Sequence, residues 1–132
     1  MGSAPRSSQP VRSVRDLRAW QEAMQLVVAL QPVCVALERA HRTGLAEQLR
    51  RAATSVHANI AEGWGRPTPP DRQRFYAMAW ASLLETESLL AEVALTSSSA
   101  STVGACTTHA RHAGRLLAAL RRAARTSRTL PR

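Results

Sequence analysis

From residue 13 to residue 126, apolar side chains return every three or four positions in four separate runs. This interval gathers them on one face of an α-helix. The first run extends through "SVRDLRAWQEAMQLVVALQPVCVALERAH", with Ser13 and Asp16 at the spacing of a capping box at its start. Leu17, Trp20, Met24, Val27, Val28 and Val35 fall on one side of this helix, and Leu26, Leu30, Val33 and Leu37 on another. A helix apolar on two sides needs two partners, more than a small monomer supplies, so the second face predicts self-association. Pro32 has no amide hydrogen and predicts a kink within the helix.

After "RTG", where Gly44 marks the connection, Leu45, Leu49, Ala52, Val56 and Ile60 define a second helix that Gly63 is expected to stop. The third opens behind "WGRPTPP", with Thr68 as N-cap, Pro69 in the first helical position and Asp71 as the return acceptor. Its stripe is Phe75, Ala79, Thr86, Leu90 and Val93, flanked by Met78, Ser82, Leu83 and Leu89. Beyond the polar break "TSSSAS", a fourth helix carries Cys106, Ala113, Leu116, Leu117, Leu120 and Ala124 on one face, and Gly104 and Gly114 weaken its first half. Four helices with short connections predict an all-α fold, an antiparallel up-and-down four-helix bundle over residues 13–126. Residues 1–12 and 127–132 have little to bury and predict a disordered basic arm and a disordered basic tail.

Composition agrees with helix: Val and Ile are sparse, aromatics make up 4% of the 132 residues, and Ala and Leu dominate. Charge adds a second layer. All 18 basic residues are Arg, against nine acids, for a net charge of +9. Residues 1–15 hold three Arg and no acid, residues 16–99 eight Arg and nine acids, and residues 100–132 seven Arg and no acid. On the fourth helix, Arg111, Arg115, Arg122 and Arg125 line the face opposite the apolar one. A solvated helix face ordinarily mixes both signs; one with no acid attracts phosphate backbones without base specificity, and the attraction falls steeply with salt. RNA or DNA is therefore the candidate partner. The apolar face of this helix is needed by the bundle, which argues against a membrane role.

Cys34 and Cys106 make neither a disulfide framework nor a metal-ligand spacing. The N-terminus has arginines but no apolar segment of a secretory leader, and the run "LVVAL" is far shorter than a membrane span. A cytoplasmic address is expected.

Gln48, Arg51, Ser55, Asn59 and Glu62 form a polar stripe beside the apolar one on the second helix. Such marginal positions are partly desolvated and need hydrogen-bond partners. Equal rise along an antiparallel pair brings together residues of helices two and three whose numbers sum to about 136. Glu62 then nears Arg72 or Arg74, Arg51 faces Glu85, and Gln48 nears Glu87. The arrangement predicts a structural ladder; an acid/base pair of Glu62 and Glu85 would stand several turns apart. Glu38 and His41 form one E-x-x-H pair where a di-iron bundle needs two, and His109 and His112 stand close enough to touch a common ion, with His109 leaning toward the apolar face. Phosphate-loop, dinucleotide, nucleophile-elbow and zinc-protease motifs are absent. No enzyme activity, cofactor or metal is expected.

The segments "DLRAWQEAMQLV", "LAEQLRRAATSVHANIAEGWGR" and "RFYAMAWASLLETESLL" resemble successive blocks of the four-helix bundle family of proteins encoded in 23S rRNA intervening sequences. That family also includes the accessory variability determinant proteins of diversity-generating retroelements. The resemblance covers residues 16–96 and is most specific at Asn59, Ile60, Ala61, Glu62, Gly63 and Arg66. It implies a ring-like homopentamer without established enzyme activity, with nucleic-acid binding suspected from basic surfaces; retroelement members act beside a reverse transcriptase and RNA. A nucleic-acid-processing protein is thus a second candidate partner. His57 and Thr86 depart from the Pro and Leu common in the family, and Pro32 is unusual within the first helix.

Overall fold

A computed structural model describes residues 11–97 and 100–126. Its elements are a single 3-10 turn, Val14–Asp16, followed by α1 (Arg18–Arg39), α2 (Thr43–Trp64), α3 (Pro69–Thr96) and α4 (Ala100–Thr126). Each helix packs on its neighbours in sequence and α4 closes back on α1, so the four surround one core with α1 diagonal to α3. No strand occurs among the described residues, and none of the described helices is long and apolar enough to cross a membrane. The expected arm and tail lie outside the described residues, except that Val11 already packs against the core.

The capping box at Ser13 and Asp16 forms, but it caps the 3-10 turn and not α1. Leu17 is extended and buried, so the chain enters the bundle through an elbow whose apolar side chain plugs the core. On α1, Leu26, Leu30, Val33 and Leu37 are buried together with Ala19, Ala23 and Cys34. The other face divides: Leu17 is buried, Trp20 and Val27 pack at the edge, and Val28 and Val35 are exposed. The helical assignment of α1 runs on through Pro32 without a break. The proline faces solvent, where its missing donor costs least, because the Val28 carbonyl left without a helical partner can turn to water.

Two further expectations are corrected. Gly44 does not make the first turn; it lies inside α2, and the reversal is made by His41, which adopts a left-handed φ of 61°. Nor does Gly63 stop α2, which continues through Trp64 to a cap at Gly65. Gly63 is buried against α3, where an added Cβ would lie 2.6 Å from Tyr76 Cε1 and 3.1 Å from the Arg72 carbonyl oxygen. Its missing side chain lets the two helices converge at their turn.

On α3 the buried line is Arg72, Tyr76, Ala79, Leu83, Thr86, Leu90 and Val93, one residue out of step at its start with the stripe led by Phe75. Thr68 caps the helix by accepting from the Asp71 amide; Asp71 does not reach back but bonds Arg74. Helix α4 buries Cys106, Ala113, Leu117, Leu120 and Ala124 as its periodicity predicts, with Val103 and Ala110 added. Both cysteines are free and buried. Burial pushes both thiols up, that of Cys106 to about 11, which keeps them protonated and inert near neutrality.

Candidate nucleic-acid interface

The helix that closes the bundle must turn its Ala and Leu stripe inward, and its opposite face is thereby set toward solvent. Arg111, Arg115, Arg122 and Arg125 are all exposed along that face. Arg121 lies to one side, its guanidinium 5.5 Å from the Trp80 ring of α3. No carboxylate occurs anywhere on α4, so no partner within the helix neutralises this row. Its four guanidiniums present planar, permanently charged donor forks suited to phosphate oxygens.

The polar stripe on α2 forms a ladder only in its middle. Asn59 donates to the Ser55 carbonyl and to Ser55 Oγ, each at 2.9 Å. Ser82 Oγ on α3 donates to Ser55 Oγ at 2.8 Å, and the buried Thr86 donates to the Ser82 carbonyl at 2.8 Å. Ser55 opposite Ser82 agrees with the antiparallel register expected from the chain. The outer rungs part from it: Gln48, Arg51 and Glu85 are exposed, and Arg51 and Glu85 form no ion pair with each other. Exposed ends of long helices gain little from pairing across water.

Glu62 does not meet Arg72 or Arg74; it pairs with Arg66 at 3.0 Å, just past the end of its own helix. Arg66 and Arg74 bracket the Phe75 ring, 4.6 and 4.5 Å from its centroid. Arg72 is fully buried and donates to the Arg66 carbonyl at 3.0 Å, pinning the loop between α2 and α3. Beside this turn a shallow groove of about 690 Å³ opens between His57, Glu62 and Arg66.

The E-x-x-H pair separates. Glu38 forms a two-point bond to Arg50 of α2, at 2.6 and 3.3 Å, which holds its carboxyl below the usual carboxylate range, while His41 is exposed in the turn. His109 and His112 do converge, on the Glu22 carboxylate of α1: His109 bonds one oxygen and His112 approaches the other at 3.3 Å. Sequence reasoning missed Glu22, since nothing local marks a partner 87 residues away. Among the described residues, no group of three or more His, Cys, Asp or Glu is arranged to hold a metal ion.

His57 packs edge-on against Trp20, and burial pulls its pKa below the ordinary 6.5. Its neutral form is therefore favoured in the fold. The stability it contributes is present above about pH 6.5 and is lost as pH falls through the lowered value. Acidification from pH 7.5 to 5.5 is expected to lower the melting temperature of the natural chain more than that of His57→Phe, which keeps a ring but cannot titrate. Equal losses in the two proteins would remove His57 from the acid response.

A comparison with curated proteins finds no match. The model of one family, described as 23S rRNA-intervening sequence protein, matches residues 15–119, covering α1, α2, α3 and most of α4. With four helices in the order and registers described above, the chain belongs to the 23S rRNA-intervening sequence protein family.

Proposed function

We propose that the protein is a non-enzymatic, self-associating helical bundle that binds nucleic acid, or a nucleoprotein, through the basic outer face of α4. The observation that carries this reading is the exposed row Arg111, Arg115, Arg122 and Arg125 on a helix that contains no acid. The resemblance that ran through the sequence adds the ring-like homopentamer. Exposed Val28 and Val35 on α1 and Met78, Leu84 and Leu95 on α3 support self-association, because these two helices occupy opposite corners of the bundle. Apolar strips on opposite corners suit a head-to-tail contact, and head-to-tail contacts close into rings.

The experiment is binding of labelled RNA and DNA across a salt series, with the mass of the free protein read by light scattering. Binding is expected at low salt, weakening steeply as salt rises, and is expected to be lost when the four arginines are replaced together by Gln. No binding at low salt, or binding unchanged in the fourfold variant, refutes the nucleic-acid reading; a monomeric mass refutes the ring. The same exposed apolar residues favour a second reading, a scaffold that binds another protein without nucleic acid, such as a nucleic-acid-processing enzyme. A partner retained from nuclease-treated extract, with no RNA or DNA bound by the pure chain, would favour it.

A further inference from the structure

The antiparallel topology brings three separate stretches of chain to one end of the bundle: the entry into α1, the turn between α2 and α3, and the last two turns of α4. Residues 11–18 hold three Arg and one acid, residues 62–75 three Arg and two acids, and residues 118–126 three Arg and none. Nine arginines thus stand against three carboxylates, a local excess of six. The opposite end, formed by residues 33–51, 84–97 and 102–111, carries five Arg and five acids and is neutral. Almost all of the net charge of the described residues is therefore concentrated at one pole.

The two poles also differ in how their arginines are held. At the neutral end, Arg50 is bound at two points by Glu38, and Arg42 reaches Glu92 across the bundle at 3.8 Å. At the basic end, guanidiniums rest on aromatic rings: Arg66 and Arg74 on Phe75, and Arg121 on Trp80. A ring restrains the side chain without neutralising it, so less conformational entropy is lost when the guanidinium meets a phosphate. The remaining acid contacts there, Glu62 with Arg66 and Asp71 with Arg74, are exposed local pairs that a phosphate can displace at little cost. Buried Arg72 adds its charge from a low-dielectric position behind them.

From this asymmetry we infer that nucleic acid is gripped end-on, by the basic pole at the α2–α3 turn together with the C-terminal part of α4, and not along the whole length of α4. The inference rests on the nucleic-acid reading above and relocates its centre. It adds Arg15, Arg66 and Arg74, none of which lies on α4, and removes Arg111, which belongs to the neutral end.

Two variants of equal charge separate the possibilities: Arg15→Gln with Arg66→Gln and Arg74→Gln at the basic pole, and Arg39→Gln with Arg42→Gln and Arg51→Gln at the other. Affinity for a duplex RNA, a duplex DNA and a single-stranded RNA is measured from 50 to 200 mM salt, with helix content and melting temperature checked for each variant. The polar triple is expected to weaken binding by about tenfold or more and to flatten the salt dependence, by roughly 0.9 in slope for each duplex DNA phosphate no longer neutralised. The control triple is expected to change affinity by less than about threefold. Replacing the same three polar residues by Lys keeps the charge and is expected to restore most of the binding, which separates electrostatic loss from damage to the turn. Equal weakening by both Gln triples, or loss only when Arg111 and Arg115 are replaced, overturns the end-on assignment and leaves nucleic-acid binding standing. No binding by the natural chain at 50 mM salt overturns both.

Discussion

Gly63→Ala is expected to destabilise the bundle by about 1–3 kcal/mol, although alanine is the better helix former by about 1 kcal/mol. The new methyl carbon would lie 2.6 and 2.7 Å from two ring carbons of Tyr76 and 3.1 Å from the Arg72 carbonyl oxygen. Tyr76 is fully buried and cannot swing aside, and a backbone carbonyl moves only with its helix. Relief therefore requires α2 and α3 to separate at the point where the loop joins them. Thermal unfolding should show a drop on the order of 10 °C, taking roughly 4 °C for each kcal/mol in a domain of this size. Gly104→Ala is the control, since nothing lies within 4 Å of its added carbon and the same propensity gain acts alone. It is expected to raise stability by about 0.5–1 kcal/mol. If Gly63→Ala also raises the melting temperature, the close approach of α2 to α3 is wrong.

Arg72→Ala is expected to cost more, about 2–4 kcal/mol, combining the volume removed from a packed site with the loss of a donor to the partly buried Arg66 carbonyl. Arg72 has no exposed surface, and its guanidinium bonds the Arg66 carbonyl at 3.0 Å, which ties the loop to the first turns of α3. Arg72→Met retains most of the volume and loses the polar contacts, so it should cost clearly less than Arg72→Ala. Denaturant unfolding of the three proteins measures both differences. A loss below about 0.5 kcal/mol in Arg72→Ala would show that the turn holds without its buried arginine. Because Arg66 and Arg74 stack on Phe75 from the same turn, Arg72→Ala is also expected to weaken nucleic-acid binding indirectly, through their position.

The helices and most of the core were legible because a 3.6-residue period is a property of each segment alone. Leu26, Leu30, Val33 and Leu37 on α1, and Cys106, Ala113 and Leu117 on α4, are buried as their spacing requires. The errors fall where one segment meets another. Phe75 and Tyr76 are adjacent and both aromatic, so period alone did not choose between them; the narrow approach at Gly63 admits the Tyr76 ring and leaves Phe75 to the two arginines. Gly63 looked like a helix stop because a stop and a contact both favour glycine, for different reasons. The register summing to about 136 held at Ser55 and Ser82, where burial enforces it. It produced no pair at Arg51 and Glu85, where water competes for both charges.

For the candidate site, the acid-free face of α4 was plain from residue types and helical spacing. Its extension to Arg15, Arg66 and Arg74 was not, because charge in a chain is counted along the sequence while a polyanion meets it in space. Glu22 under His109 and His112 follows the same rule. By itself, the sequence determined four amphipathic helices, their inward faces and a surplus of arginine, since periodicity and composition are local quantities. Only the tertiary structure decided that α2 and α3 converge on a glycine, that an arginine is buried behind their turn, and that the surplus charge gathers at one pole. Those outcomes depend on distances between segments far apart in the chain, which antiparallel packing sets and no single segment encodes.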